Sequence, residues 1–289
     1  MSMHAIGPLK HDTTLLDGVT NVSFSPGIEE IVQGGDGRAY NDFIAVGTQR
    51  PVATVDSVKV GTWLGHIGVG GLSIGDDPLE MYLKELASYS TRETTGLKFA
   101  INQGVILPRT LSVGYGAELA SLSSEIIMIR DGENAPYATT EDAALPSGDA
   151  LNEAYGLGAI TINAVDAGLI QNLTIDFGIE AVSLAGKDDI DPSYLYIRRY
   201  QPTISFQTLM ASQAHALGVA GQQQNVSITL KKRSGASYAS AGHLTFATTL
   251  ARVSCQQLSG AHEGEVMADI RVTTAHDGTN HPITMTVSI

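Results

Sequence analysis

Polar and apolar residues alternate with a period of two along much of this chain. Val19 to Phe24 and Leu169 to Ile175 alternate in this way, as do Phe43 to Val46, Tyr194 to Ile197, Pro51 to Val58 and Pro202 to Leu209. Successive side chains of a strand point to opposite faces, so each run predicts a strand with one buried face. Leu97 to Ile101 followed by Val105 to Val113, and Leu244 to Leu258, predict hairpins; long strands are expected around Leu119 to Arg130 and Glu265 to Ala275. Helical spacing is confined to two places. Met210, Ala214 and Leu217 precede Gly218 and Gly221, and a shorter, poorer version covers Thr62 to Ile67.

The pattern occurs twice. Asn21, Gly27, Ile28, Glu29, Gly35 and Pro51 recur as Asn172, Gly178, Ile179, Glu180, Gly186 and Pro202, at an offset of 151. Leu83, Lys84, Phe99, Ala100, Leu111 and Ser112 recur as Leu230, Lys231, Phe246, Ala247, Leu258 and Ser259 at 147, and Asp131-Gly132-Glu133-Asn134-Ala135-Pro136 answers Asp277-Gly278-Thr279-Asn280-His281-Pro282 at 146. Ordered blocks with so little drift predict one fold used twice. The period is too long for a solenoid and fits two self-sufficient domains, residues 1–145 and 146–289, joined inside the Pro/Gly-marked stretch Ala143 to Asp149. Residues 1–12 are expected to form an N-terminal arm.

Self-comparison also resolves an ambiguity. Asp77 to Leu86 has a Pro near its start and strong helix formers, yet its counterpart Val226 to Arg233 is β-branched and alternates. Both occupy one site of one fold, so Leu79, Met81 and Leu83 are assigned to the core face of a strand. The fold class is therefore mainly β: two tandem homologous β-sandwich or partly open barrel domains, each of about seven or eight strands with one short flanking helix.

Charge and cysteine usage narrow the function. Lys and Arg number 17 against 30 Asp and Glu, a net charge of −13, with −9 in residues 1–145 and −4 in 146–289. Such acidity repels a nucleic-acid backbone. The single cysteine, Cys255, excludes an internal disulfide and a multi-thiolate metal site. No basic-then-apolar leader opens the sequence and no run of 18 apolar residues occurs, so a soluble, unsecreted protein of a reducing cytoplasm, without a membrane anchor, is expected.

Motifs for chemistry fail in context. Gly71-Leu72-Ser73-Ile74-Gly75 matches the G-x-S-x-G elbow of serine hydrolases, but that elbow needs a strand before and a helix after, whereas Asp76-Asp77-Pro78 and a strand follow here. Gly65 to Gly71 lacks the Lys-Ser or Lys-Thr of a phosphate loop and fits a plain loop. Asp188-Asp189-Ile190-Asp191 lacks the glycine and terminal glutamate of a calcium loop. His276 and His281 have no second ligand group nearby and are expected on the surface. The sequons at Asn21, Asn172 and Asn225 fit strand starts. Glu29/Glu180 and Lys84/Lys231 are repeated charges, expected in surface or inter-subunit ion pairs. The expectation is a non-enzyme with no catalytic, cofactor-binding or metal-ligating residue and no cofactor.

Gly27-Ile28-Glu29, Gln33 to Gly37, Arg50-Pro51-Val52-Ala53-Thr54-Val55, Gln103 to Leu111 and Asp131 to Pro136 together resemble the tail tube (major tail) proteins of tailed bacteriophages. Gln201 to Phe206, Leu230 to Gly235 and Asp277 to Pro282 carry a weaker match, and no Pro answers Pro108 in Ala251 to Cys255. The resemblance implies a virion structural protein, assembled in the host cytoplasm, whose sheets join around a ring and whose rings stack into a tube. With two domains per chain, homotrimeric, pseudo-hexameric rings are implied, with other tail proteins at the tube ends and DNA passing through the lumen without specific binding. Glu80, Glu118, Glu125, Glu263, Glu265 and Asp269 are the candidates for an acidic lumen. The alternatives are another virion component, such as a baseplate or decoration protein, and a duplicated β-sandwich ligand-binding module.

Overall fold

The computed structural model describes residues 3–33, 43–86, 92–116, 118–147, 153–186, 189–210, 224–235, 237–260, 266–279 and 281–288. In the first half, β1 (Met3–His11), β2 (Thr14–Leu16), β3 (Val19–Ser25), β4 (Ile28–Gln33), β5 (Phe43–Gln49) and β6 (Val52–Ser57) lead to helix α1 (Val60–Ile67). After it come β7 (Leu72–Ile74), β8 (Leu79–Leu86), β9 (Arg92–Ile101), β10 (Gln103–Gly114), β11 (Ser121–Ile129) and β12 (Tyr137–Ala144). The second half begins with β13 (Tyr155–Ile162), β14 (Val165–Asp166), β15 (Ile170–Asp176), β16 (Ile179–Ala185), β17 (Pro192–Tyr200) and β18 (Thr203–Thr208). It ends with β19 (Gln224–Ser234), β20 (Ser237–Tyr238), β21 (Leu244–Ser259), β22 (Met267–Thr274) and β23 (Thr284–Val287).

The protein is mainly β, built from large antiparallel sheets of the sandwich class, with no closed barrel among the described residues. The two halves follow one pairing scheme. β12-β9-β8-β1-β2 form one sheet, answered by β23-β21-β19-β13-β14. β10-β11-β6-β3 form another, answered by the C-terminal part of β21 with β22, β18 and β15. The hairpin β4–β5 is answered by β16–β17. Alternation explains the packing: in β6, Ala53, Val55 and Ser57 are buried while Val52, Thr54 and Asp56 are partly exposed. The core runs continuously through both halves, with Trp63, Phe177, Phe206 and Phe246 its largest fully buried side chains. Removing each such side chain from water contributes about 1.5–3 kcal/mol.

Three expectations need correction. The segment read as an N-terminal arm is strand β1, paired with β8 and β2, and Leu9 within it is fully buried. Leu97 to Ile101 and Val105 to Val113 are not a hairpin: β9 pairs with β8 and β12, whereas β10 pairs with β11 in the other sheet. Their counterpart, Leu244 to Leu258, is the single strand β21, which belongs to both sheets. Each half also holds more strands than seven or eight, because β1, β2, β7 and β12 and their like lie beyond the strongly alternating runs. Leu79 and Met81 are core residues of strand β8, as the comparison of the halves indicates, and Leu83 is partly buried. The helix expected after Leu209 lies outside the described residues.

Glycines enforce the shared geometry where strands bulge or turn. A Cβ on Gly7 would strike the Tyr82 carbonyl, and one on Gly158 the Thr229 carbonyl, at bulges that shift the register of β1 on β8 and of β13 on β19. Gly27 and Gly178 have φ of 59° and 58°, and each carbonyl accepts a 3.0 Å hydrogen bond, from Arg50 N and Gln201 N.

Helix α1 buries Val60, Trp63, Leu64 and Ile67, one stripe at helical spacing. Its first turn is held by Glu153 of the second half, whose Oε1 accepts from Gly61 N at 2.5 Å and Thr62 N at 3.1 Å, and whose Oε2 accepts from Thr62 Oγ1. Beside it Lys59 donates to the Asp17 carboxylate at 2.7 Å, with side-chain exposures of 4% and 11%, while the Asp17 carbonyl accepts from Ser57 Oγ and Trp63 Nε1. In the second half Met210 takes the place of Lys59 and covers Gly168, with Thr208 Oγ1 donating to the Ala167 carbonyl. Removing one member of a buried pair strands the other charge. Lys59→Met is therefore expected to cost about 3–5 kcal/mol in urea unfolding, and adding Asp17→Asn to restore most of that loss.

His11 Nδ1 and His66 Nε2 lie 2.9 Å apart, joining β1 to α1. Burial, and then the charge of His11, push His66 below its ordinary 6.5, opposed by Asp12. The unfolded chain then binds this proton more readily, so the stability is complete above pH 6.5 and falls as the pH drops through that value. The melting temperature is expected to decline between about pH 7.5 and 5.5, and His66→Gln to flatten that decline in a thermal-melt series.

Candidate assembly interface

The halves are joined by backbone. β10 pairs antiparallel with β15 from Thr110 opposite Asp176 to Gly114 opposite Asn172. Phe177 N donates to the Arg109 carbonyl at 2.9 Å and Tyr115 N to the Gln171 carbonyl at 2.7 Å, extending this seam at both ends. Four strands from each half thereby form one run, β3-β6-β11-β10-β15-β18-β22-β21. Its two faces differ in kind. Leu111, Val113, Leu173 and Ile175 at the seam are at most 4% exposed on the core face. The opposite face carries Ser23, Thr54, Ser123, Thr110, Ser112, Thr174, Thr203 and Ser205, each partly or fully exposed.

Arg109 fastens the seam from its polar side. A bulge between Pro108 and Thr110 takes it out of the regular alternation, and its guanidinium donates both to the Glu125 carboxylate in its own half and to the Ile179 carbonyl across the seam. A shallow pocket follows, lined by Arg109, Asp176, Glu180, Arg199 and Arg271. Burial pushes the Arg109 guanidinium below its ordinary value and Asp176 pulls it back up. An arginine stays charged under such a shift, so it serves as a fixed cationic bridge.

The residues singled out from sequence fall elsewhere. Ser73 is an exposed residue of β7, opposite Val105 of β10, with Asp76 to Pro78 and then β8 following, so the elbow geometry is not formed. Gly65 belongs to α1, and Gly68 to Gly71 form the loop after it. Asp189 pairs with Arg130; Asp188 lies outside the described residues. His276 Nδ1 accepts from Gly278 N, whereas His281 packs edge-on against Tyr200. No group of three or more potential ligands that could hold a metal occurs among the described residues. Asn21 donates to Asp56 and Asn172 to Gln207, cross-strand bonds at matching positions, and Asn225 is the second residue of β19. Glu29 accepts from Thr48, Glu180 pairs with Arg198 at 3.3 Å, Lys231 lies over the Tyr238 ring, and Lys84 is partly buried on β8.

Of the acidic candidates, Glu125 and Asp269 lie on the hydroxyl-bearing face. Glu80 is in the other sheet, where it accepts from Tyr82 and Lys98, and Glu118 is exposed in the connection before β11. Glu263 and Glu265 lie outside the described residues. Sequence reasoning missed Arg109 and the hydroxyl face. The signal for the face was present: Ser23 and Thr174, Thr54 and Ser205, and Ser112 and Ser259 are equivalent outward positions of the two halves. Among the described residues no helix is long and apolar enough to cross a membrane. No family model matches this chain, and no curated protein matches it.

Arg109→Gln removes a charged donor from the seam and leaves Glu125 without its partner. It is expected to lower stability by about 1–3 kcal/mol and to speed amide hydrogen exchange in β10 and β15 ahead of β8 and β9.

Proposed function

We propose that this chain is a structural protein of a tailed-phage virion, three copies of which close a ring, and that the rings stack into the tube through which DNA passes. The observation that carries this reading is the continuous sheet made from both halves. It has a hydroxyl-lined face on one side, a sandwich core on the other, and among the described residues it ends in two open edges, β3 and Arg252 to Ser259 of β21. A sheet with two open edges exposes unpaired backbone groups, and closure into a ring removes them. The resemblance of the turn motifs to tail tube proteins supports the same reading.

The hydroxyl face would line the lumen. Its acids Asp56, Glu125, Asp176 and Asp269 stand among Arg109, Arg252 and Arg271, so it is close to neutral and rich in Ser and Thr. Such a wall offers DNA neither a cationic track nor a base-reading surface, and the duplex slides along hydrated hydroxyls.

Negative-stain microscopy and native mass spectrometry of the purified protein test the proposal. Rings with a central hole, or tubes, with three chains per ring are expected. A strict monomer at high concentration overturns the reading, a discrete closed particle without stacking favours a baseplate or decoration role, and rings of six whole chains overturn the trimer.

A further inference from the structure

We propose that the ring closes through a copy of the internal seam, with the C-terminal part of β21 in one subunit pairing antiparallel with β3 of the next; this rests on the ring reading above. The two edges are repeats of the two that already pair. Leu258 of β21 corresponds to Leu111 of β10, and Val22 and Phe24 of β3 correspond to Leu173 and Ile175 of β15. Even the bulge is kept: the register on β22 shifts between Cys255 and Gln257, as that on β11 shifts between Pro108 and Thr110.

Exposure separates the used edges from the unused ones. Leu111 is fully buried, whereas Leu258 is 50% exposed. Leu173 and Ile175 are buried, whereas Val22 and Phe24 are each partly exposed. Among the described residues β3 pairs only with β6, and Arg252 to Ser259 pair only with β22. Each edge therefore presents the apolar residues and the backbone groups that its counterpart buries.

The register follows from the template. Leu111 faces Ile175 and Ser112 faces Thr174, so Leu258 faces Phe24 and Ser259 faces Ser23 of the next subunit. The polar fastening differs, because Gln256 and Arg271 stand where Arg109 and Glu125 stand internally. The ring seam thus lacks the arginine bridge, and it is expected to dissociate under conditions that leave the internal seam intact.

Backbone bonds at Arg109–Phe177 and Tyr115–Gln171 put Ser112 and Thr174 at a non-hydrogen-bonded pair, the close position that suits a disulfide. The test is the full chain carrying Cys255→Ala, Ser23→Cys and Ser259→Cys, oxidised and run on a non-reducing gel. Covalent dimers and trimers with no longer ladder are expected, and neither single-cysteine variant should cross-link. Rings in the microscope without this cross-link overturn the seam while the ring reading stands. Cross-linking by Ser23→Cys alone means β3 pairs with β3 and overturns it as well. A monomer throughout overturns both. Leu258→Asp supplies a second readout: it is expected to keep the melting profile of the monomer and abolish the oligomer, and an undiminished oligomer overturns the seam.

Discussion

Backbone hydrogen bonding between β10 and β15 is the interaction on which this structure depends. A sandwich half taken alone would end its four-stranded sheet in two open edges, with ladder groups facing water. The seam satisfies one edge of each half with the other, and the side chains beneath it, Leu111, Val113, Leu173 and Ile175, make one core out of two. Because the joined edges are not equivalent to each other, the two halves meet head to tail. Head-to-tail contacts leave one unused edge of each kind at the ends.

The two halves differ where side chains alone decide, and agree where backbone decides. The corner beside α1 is an ion pair of Lys59 and Asp17, while the second half sets Met210 over Gly168. Lys59 is 3% exposed and Met210 41%, so only the first half buries a charge there and needs a partner for it. The positions that touch a neighbouring carbonyl had no such freedom. Gly7 and Gly158, and Gly27 and Gly178, are glycine in both halves because any Cβ would enter the neighbouring backbone.

Alternation revealed the strands that bury one face, and comparison of the halves rescued β8 from a helical reading that its local propensities favoured. The same approach failed for β1 and β13. Their glycines, required by the bulges, break the alternation, so a strand with a fully buried Leu9 resembles an arm. The passage from β9 into β10 was also hidden, since two consecutive strands in different sheets carry the same pattern as a hairpin. The seam itself is a pairing between distant segments, and periodicity says nothing about which edge meets which. Arg109 was unreadable for a related reason: both of its acceptors, the Glu125 carboxylate and the Ile179 carbonyl, come from other strands.

The difference between a broken and an unbroken strand has a mechanical side. In the first half the chain leaves one sheet at Asn102 and re-enters the other as β10, whereas β21 runs from Leu244 to Ser259 without interruption. A pull on the exposed end of β21 would be shared at once by ladders to β19, β22 and β23, loaded along the strand so that many bonds must shear together. Among the described residues the first half has no equivalent tie, and its two sheets can yield separately at that single residue. Under tension or bending the molecule has a stiff half and a compliant half, and strain concentrates in the compliant one.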